Sequence, residues 1–359
     1  MKNGFLMIIH ICAKVSDRIS ELKIQNWNLL MLKFLFFLLF TSVASANSCV
    51  VLLYHHFSDS TPKSTSVSPK LFEQHLQYLQ ENDFQVLKLE TMLESLDKDL
   101  PNKCVVLTAD DAYKSIAESA YPLLKKYQMS LSVFVSTNAV DKKYKAMMSW
   151  QTMRDIQGET MQFYNHTKDH AHLLELNKKQ IKAQITHAQK RLVQELGQRN
   201  KIFAYPYGEA SLEILKQVKH MGYSAFGQQS GVVSTTSHRQ NFPRFPMAAH
   251  YAKMSSFKTK INTLPMLIKD DIINPVFTQN PPTLTLNFLK PLNKHQKANL
   301  NCFANGGVDM IWQGSESVKV TAKKRLTHRR NKYNCTMPSK QKGRYYWYSM
   351  QWVDPKIAE

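Results

Sequence analysis

The sequence predicts an α/β fold for most of the chain, followed by a small all-β domain, most simply a sandwich. Between residue 49 and about residue 250, strand-like and helix-like segments alternate, which is typical of parallel strands joined by crossover helices. Near Asn274-Pro275 the helical periodicity stops, and strand-like alternation replaces it. Repeated strand and helix units of this kind predict a barrel or an open sheet in the first part.

Short apolar runs bounded by turn signals define the predicted strands. They cover residues 49–54, 104–109, 130–136, 161–165, 201–205 and 223–227.

Three helices carry clear start or stop signals. Ser68 followed by Pro69 predicts an N-cap and the first helical position of one helix. Apolar residues recur at helical spacing over residues 178–196, and Gly197 is placed to end that helix. A third helix is predicted from Ser211 to Met221, ended by Gly222.

The C-terminal segment reads as strands. Residues 283–288 form one predicted strand, and a second places alternate large side chains on one face: Tyr346, Tyr348, Met350 and Trp352. Tyr345 and Trp347 face the other way, where they either stack on sugar rings or cover a second sheet. Packing is the preferred interpretation of the two.

Residues 1–46 are predicted to be an N-terminal extension and signal peptide. Lys33, the apolar run 34–40 and the small residues before Ala46 match a secretory signal, with Met31 as a candidate start. The apolar run is too short for a stable anchor, so no stable transmembrane span is expected after cleavage, and an N-terminal anchor is the alternative. The protein is expected in the periplasm, on the cell surface or secreted, with predicted domains at 47–275 and 276–359.

Four cysteines remain after such cleavage, and an even number suits a disulfide-permissive compartment. Cys49 and Cys104 each begin a similar apolar strand, so neighbouring parallel strands could bring the two sulfurs together. Cys302 with Cys335 would then cross-link the C-terminal region. The alternative is four free, buried thiols.

The charge of the chain is strongly basic. The whole sequence carries +20, residues 1–46 contain five basic and two acidic residues, and +17 remains after cleavage. Residues 276–359 hold fourteen Lys or Arg against four Asp or Glu. This concentration favours an anionic envelope surface as a partner, with a solvated basic face as the alternative. Nucleic acid is not expected, because the sequence has no recognition motif with the required spacing.

The strongest functional signal is a pair of histidines four residues apart, His166 and His170. Four residues make one helical turn, so both imidazoles could face one side, and a carboxylate from Asp110-Asp111 would complete three protein ligands. This pattern predicts a divalent metal with positions left open for water, as in a hydrolytic centre. Zinc is the default for these ligands, and cobalt or nickel would also bind them. Without the histidines, the two aspartates would fit a helix-capping turn equally well.

Other polar groups also follow predicted strands. They are Tyr54-His55-His56 after the first strand and Tyr205-Pro206-Tyr207-Gly208 after a later one. Residues just beyond the carboxyl ends of parallel strands gather around the active site of such folds, so these groups are expected near the metal.

These motifs resemble those of the polysaccharide deacetylases of the NodB-homology type, carbohydrate esterase family four. The resemblance covers about residues 49–250 and rests on Thr108-Ala109-Asp110-Asp111-Ala112, on His166-Thr167-Lys168-Asp169-His170 and on Tyr205-Pro206-Tyr207-Gly208. The most similar members are exported deacetylases of poly-N-acetylglucosamine, because Tyr54-His55 matches the pair that supplies their general acid. The resemblance implies a (β/α) barrel-like NodB-homology domain and an N-acetylglucosamine-containing polysaccharide as substrate.

The resemblance also implies a role for each matching residue. Asp111, His166 and His170 would bind the metal. Asp110 would be the general base and His55 the general acid, although the neighbouring His56 leaves that assignment open. The backbone N–H of Tyr207 would help to hold the oxyanion. Arg244 is the candidate for orienting Asp110, with a plain surface arginine as the alternative, and Trp150 is expected to line the sugar groove unless it belongs to the core.

Three alanines depart from the family pattern: Ala109 replaces an aromatic residue, Ala112 a glycine and Ala204 an arginine. Ala112 would be strained if the turn needs a positive φ. The leading hypothesis is a metal-dependent N-deacetylase of N-acetylglucosamine units in an exported or cell-envelope polysaccharide. The alternative is a catalytically impaired glycan-binding or export protein on the same fold.

Overall fold

A curled parallel sheet forms the centre of the computed structural model, which describes residues 47–269 and 273–358. Its main strands lie side by side in chain order and run parallel to one another. They are β1 Ser48–Tyr54, β2 Cys104–Asp110, β3 Leu131–Val135, β4 Met161–Asn165, β5 Ile202–Ala204 and β6 Ser224–Phe226. Each lies within about one residue of a predicted strand. The predicted signal peptide and the start at Met31 lie outside the described residues.

The gap between β6 and β1 is partly filled by later segments. Strand β7 Val233–Ser234 pairs antiparallel with β1, and β8 Phe245–Pro246 pairs parallel with it. Phe242, just before β8, bridges to Phe226 at the end of β6. The sheet is therefore curled into a half-barrel, which confirms the predicted barrel-like α/β fold. Short two-residue strands complete this part: Gln85–Val86 beside β2, and His56–Phe57 paired with Ser66–Val67.

The predicted helices are present with their caps. Ser68 accepts a hydrogen bond from the N–H of Leu71, and Asn177 forms a reciprocal capping box with Gln180. Gly197 ends the long helix with a φ of 67°. The helices are α1 Pro69–Glu81, α2 Leu89–Ser95, α3 Tyr121–Tyr127, α4 Thr137–Asp141, α5 Trp150–Ile156, α6 Lys178–Leu196, α7 Leu212–His220, α8 Met254–Ile261 and α9 Lys294–Asn299. Within the described ranges, no helix has the length and apolar character needed to cross a membrane.

Alternate residues of the sheet enter two different cores. Val50 and Leu52 of β1 pack with helices on the outer face, whereas Cys49 and Val51 point to the inside of the half-barrel. The inside is filled by large apolar side chains that include Phe134. The catalytic candidates lie at the carboxyl ends of the strands, at one end of this apolar interior.

Two sheets follow in the C-terminal part. One contains, in spatial order, β9 Leu264–Pro265, β15 Tyr345–Val353, β14 Arg330–Pro338 and β11 Asn301–Phe303; the other contains β10 Thr283–Asn287, β13 Ser317–Ala322 and β12 Val308–Gln313. Their facing residues share one core, which includes Met350 and Trp352 as the alternation predicts. Trp347 faces the other way and meets the ring of Phe245 at 5.3 Å, which agrees with the preferred packing interpretation.

Residues 47–359 form one compact unit. Strand β9 lies before residue 276, yet it pairs parallel with β15 of the C-terminal sheet. Val276 also bridges to Val353. The division between residues 275 and 276 stays a prediction, and the C-terminal sheets belong to this compact unit.

Two disulfides are formed as predicted. Cys49 and Cys104 are directly opposite each other at the start of β1 and β2, and their sulfurs are bonded. Cys302 and Cys335 occupy opposite positions in β11 and β14 and are bonded as well. The first disulfide cross-links the amino-terminal ends of β1 and β2, and the second cross-links the C-terminal sheet.

Replacing Cys302 and Cys335 together by Ala is expected to lower the free energy of unfolding by about 4 kcal/mol, because a 33-residue separation is no longer cross-linked in the unfolded chain. Urea unfolding followed by tryptophan fluorescence measures the loss. An unchanged midpoint, or four free thiols in the native protein by mass spectrometry, would contradict the disulfide.

Candidate metal centre

Three loops at the carboxyl ends of β2, β4 and β5 bring the predicted site residues together. Asp110 is the last residue of β2, and His166 follows β4 directly. Tyr207 lies in the turn Pro206–Gly208 that follows β5. The parallel sheet therefore gathers the three motifs at one end, as the sequence predicts.

Asp111, His166 and His170 form a compact set of possible metal ligands. One ligand atom from each lies within 4.8 Å of the other two. Asp111 Oδ1 is 3.5 Å from His166 Nε2 and 3.4 Å from His170 Nε2. The His170 side chain is 27 % exposed and that of His166 only 1 %, so the cluster opens to solvent on one side.

The tautomer of His166 is fixed by the backbone. Its Nδ1 lies 2.8 Å from the carbonyl oxygen of Ala204 and donates to it, which leaves Nε2 free of a proton and aimed at Asp111. Among the described residues, this buried Nε2 has no hydrogen-bond partner. A buried, unpaired imidazole nitrogen beside a carboxylate is the arrangement that a metal ion satisfies, so these residues fit a divalent metal.

The two histidines are not on a helical turn, so that part of the sequence argument is wrong. Residues 166–170 form a tight loop in which Thr167 has a φ of 67° and His170 a φ of 53°. The side chain of Asn165 holds the loop, accepting from the N–H of Thr167 and donating to the carbonyl of Ile185 on α6. The two rings still meet, with centroids 4.8 Å apart.

The turn after β2 needs positive φ at two successive residues. Asp111 has a φ of 72° and Ala112 a φ of 61°. The strain predicted for Ala112 is therefore present, because a side chain in this region costs about 1–2 kcal/mol relative to glycine. The turn nevertheless directs the Asp111 side chain toward both histidines.

Asp110 is fully buried and is paired with Arg244, which is also fully buried. Arg244 Nη1 lies 2.7 Å from Oδ1 and Nη2 lies 2.9 Å from Oδ2, a two-pronged contact. Burial alone would raise the pKa of Asp110, but the charge and hydrogen bonds of Arg244 outweigh this effect and lower it to about 2. The surface-arginine alternative is therefore wrong, and Asp110 stays ionised.

The backbone fixes Arg244 in turn. Its Nε donates to the carbonyl of Gly227, and its N–H donates to the carbonyl of Gln229. Its guanidinium lies 5.2 Å from the centre of the Phe134 ring. The segment that fills the gap in the half-barrel thus delivers an arginine to Asp110, at the end of β2.

The first strand ends in Tyr54-His55-His56. The hydroxyl of the buried Tyr54 donates to His75 Nδ1 on α1, and His75 Nε2 donates to the carbonyl of Ala252. His56 stacks on the ring of Tyr113 with centroids 3.6 Å apart. Burial is the main cause that lowers the pKa of His170 to about 4, and nearby His55 makes only a small contribution.

Sequence reasoning missed several residues around the Tyr207 loop. Glu209 directly follows the loop motif, and it binds two arginines from the start of β14 and His172. Tyr113 is a further neighbour of Asp111: burial, and then the charge of Asp111, raise its pKa. The sequence pattern identifies Arg329 and Arg330 only as part of the basic C-terminal charge. Trp150 contacts Asp141 and Arg191, and its place in a sugar groove stays a prediction.

The family model described as polysaccharide deacetylase matches residues 97–226. Over these residues the chain is similar to polysaccharide deacetylases. Asp110, Asp111, the two histidines and Tyr207 lie within the matched range, whereas His55 and Arg244 lie outside it.

Two relatives resemble larger parts of the chain. YxkH of Bacillus subtilis, named as a candidate polysaccharide deacetylase, is 31% identical over 175 residues, which is 48% of this chain and 61% of the relative. The chain thus covers less than two thirds of that relative. The poly-beta-1,6-N-acetyl-D-glucosamine N-deacetylase of Staphylococcus aureus is 27% identical over 249 residues, which is 66% of this chain and 84% of the relative.

Solved structures agree with the deacetylase fold. The Streptococcus pyogenes deacetylase PplD, solved in complex with acetate, superposes with a TM-score of 0.57 and 23% sequence identity. The match covers 60% of this chain and 99% of PplD. At this identity the likeness supports the fold alone, and it leaves about two fifths of this chain without a counterpart in PplD.

Replacing Arg244 by Met is expected to lower the free energy of unfolding of the protein by about 3–5 kcal/mol, because it leaves the buried Asp110 carboxylate without its partner. Replacing the exposed Arg199 by Met removes the same charge and should change stability by less than about 0.5 kcal/mol. Chemical unfolding of the metal-free proteins measures both. Equal, small effects of the two substitutions on the free energy of unfolding would contradict a stabilising role of Arg244 for the buried Asp110.

His75 predicts a pH dependence of stability. Burial lowers its pKa to about 4, although the Ala252 carbonyl partly offsets this effect and nearby Lys260 lowers the pKa slightly further. In the unfolded chain the pKa is about 6.5, so the unfolded state binds more protons between these values. The stabilisation is complete above about pH 6.5 and is lost as the pH falls toward 4, by about 3 kcal/mol.

A His75→Phe variant should therefore lose less stability than the wild type between pH 7 and pH 4.5. Urea unfolding at both pH values, with a chelator present, measures this difference and keeps any bound metal out of the comparison. Identical losses in the two proteins would contradict a buried, neutral His75.

Proposed function

We propose that the protein is a metal-dependent N-deacetylase that acts on N-acetylglucosamine units of an exported or cell-envelope polysaccharide. One observation carries the proposal: an ionised, arginine-paired carboxylate stands beside a separate Asp-His-His cluster. Asp110 Oδ2 lies 4.0 Å from His166 Nε2, the nitrogen that points into the cluster. A hydrolase of this kind needs both parts, a metal site and a carboxylate that is not consumed by it.

Asp111, His166 and His170 are the residues that would hold the metal. A divalent ion bound there supplies a Lewis acid, which lowers the pKa of water from about 15.7 toward about 7 and polarises the acetamide carbonyl. Zinc is the proposed metal, and the same ligands accept cobalt or nickel. The exposed edge of His170 leaves room for water and substrate on that side.

Asp110 is the proposed general base. Its pairing with Arg244 keeps it ionised and fixes both oxygens, so it is oriented to take the proton of the attacking water.

His55 is the proposed general acid, which protonates the departing amine. His56 is the alternative, but its ring is stacked on Tyr113, and burial, then the charge of His55, lower its pKa. The backbone N–H of Tyr207 is the proposed donor to the oxyanion. Tyr207 has a φ of 58°, a conformation that turns its peptide away from the regular path of the strand.

The substrate class and export rest on other observations. The Staphylococcus aureus relative, named for action on poly-beta-1,6-N-acetyl-D-glucosamine, supports a polymer of that sugar. The two disulfides support an oxidising compartment such as the periplasm, the cell surface or the medium. The basic residues of 276–359 remain a proposed contact with an anionic envelope surface.

The full-length protein, loaded with zinc, is expected to release acetate from poly-β-1,6-N-acetylglucosamine. Asp110→Asn should lower the turnover rate by about a hundredfold to ten-thousandfold, and His55→Ala should lower it as well, because each removes a proton-transfer group. Removing the metal with a chelator should abolish release. Acetate is measured by a coupled enzymatic assay on this polymer and on chitin oligomers.

Asp155→Asn removes an exposed carboxylate of the same domain and serves as the control for Asp110→Asn. It should leave acetate release unchanged. If the metal binds but neither polymer is deacetylated, the proposal fails in favour of an impaired glycan-binding or export protein. Equal activity in Asp110→Asn and wild type would remove Asp110 from the mechanism.

A further inference from the structure

A second buried carboxylate joins the C-terminal sheet to the loop of Tyr207. Glu209 is fully buried and ends the turn Pro206–Gly208. Its Oε1 accepts from Arg329 Nε at 2.8 Å, and its Oε2 accepts from Arg329 Nη2 at 3.0 Å. Arg330 Nη1 donates to Oε1 at 3.0 Å as well. One carboxylate thus binds two arginines that lie about 120 residues later in the chain.

The neighbouring strand holds the same turn at its backbone. Gln351 of β15 donates from Nε2 to the carbonyl of Tyr207 at 3.2 Å and to the carbonyl of Gly208 at 3.0 Å. Tyr207 lies in the left-handed region, which persists in a non-glycine residue when its surroundings impose it. Gln351 and Arg330 lie on adjacent strands of the C-terminal sheet, and Arg329 directly precedes one of them.

A line of ring contacts connects this ion pair to the metal cluster. The second oxygen of Glu209 lies 3.0 Å from His172 Nδ1, and the His172 ring lies parallel to that of Tyr207 at 4.0 Å. The Tyr207 ring in turn meets His170 edge-on at 4.5 Å. The guanidinium of Arg330 lies 5.2 Å from the centre of the Tyr207 ring. A shift of Glu209 would therefore move both the proposed oxyanion donor and a metal ligand.

These contacts also change the interpretation of the C-terminal charge. Arg329 is nearly buried and, besides Glu209, binds Glu175 and the carbonyls of Pro355 and Ile357. Its charge is therefore satisfied inside the protein. At least these positions of the basic segment serve the fold of the site and not an external polyanion.

We infer that Arg329 is a positioning residue for the Tyr207 loop, so that the C-terminal sheet is an integral part of the catalytic centre. The inference rests on the proposed function for its effect on turnover, but the order of the loop can be measured without any substrate. Arg329 does not touch the proposed reacting atoms. It acts through Glu209 on the place of the Tyr207 N–H and of the His170 ring.

Arg329→Met in the full-length protein tests this inference by hydrogen–deuterium exchange and by kinetics. The N–H groups of Gly208 and Glu209 are hydrogen-bonded within the turn, so a peptide covering residues 203–212 reports its order. Exchange in this peptide should rise about tenfold or more, with peptides of β2 and β3 unchanged. The turnover rate should fall about tenfold to a hundredfold while KM stays within about twofold, because orientation and not substrate affinity is lost.

Arg325→Met is the matched control, since Arg325 is exposed and its loss removes the same charge from the same segment. It should change neither exchange nor turnover. Gln351→Leu is the milder second variant, because it removes one amide of similar size and leaves the buried charges paired. It should raise exchange in residues 203–212 and lower turnover in the same direction, by smaller factors.

The inference is overturned if exchange in this peptide is unchanged in both variants, if it rises equally throughout the protein, or if it rises while turnover stays at the wild-type rate. A control as impaired as Arg329→Met would overturn it too. If the wild type itself releases no acetate, the proposed function fails and exchange alone decides: a rise confined to residues 203–212 upholds the positioning role, and no rise refutes it.

Discussion

The buried ion pair between Asp110 and Arg244 is the constraint on which the rest of this site depends. A carboxylate with no exposed surface is stable only if its charge is balanced and its oxygens are bonded, and Arg244 provides both. Arg244 can do so only because the segment around β8 fills the gap of the half-barrel. The segment around β8 therefore has three effects. It closes the sheet, keeps Asp110 ionised and leaves Asp111 free for the proposed metal.

The loop of Tyr207 is held by a second buried ion pair of the same kind. Glu209, like Asp110, is buried near the end of a parallel strand and is matched by an arginine from a distant part of the chain. Both contacts use the two-pronged geometry of a guanidinium, which fixes orientation as well as charge. Paired in this way, buried charges specify where loops lie, although they add little net stability.

Much of this structure follows from sequence patterns with a local physical cause. The strands, the cap at Ser68, the end of α6 at Gly197 and the alternation that buries Trp352 all depend on neighbouring residues. The ligand triad was also predictable, because motif residues at strand ends must meet. The contacts of Glu209 were not, since nothing local links it to Arg329, and a run of basic residues reads as surface charge. The loop that replaces the expected helical turn depends on tertiary contacts, such as that of Asn165 with α6.

The hydrogen bonds between the Tyr207 turn and Gln351 affect the order in which the parts of the proposed site form during folding. The groups of the site extend from the first strand to the last, so the centre has a very long sequence separation between its parts. Contacts of this kind form late and slowly in folding. A chain that is synthesised from its N-terminal end can close its half-barrel and place the ligand triad early. The turn after β5 receives its hydrogen bonds from Gln351 only when β15 docks. The proposed catalytic site is therefore completed late in folding.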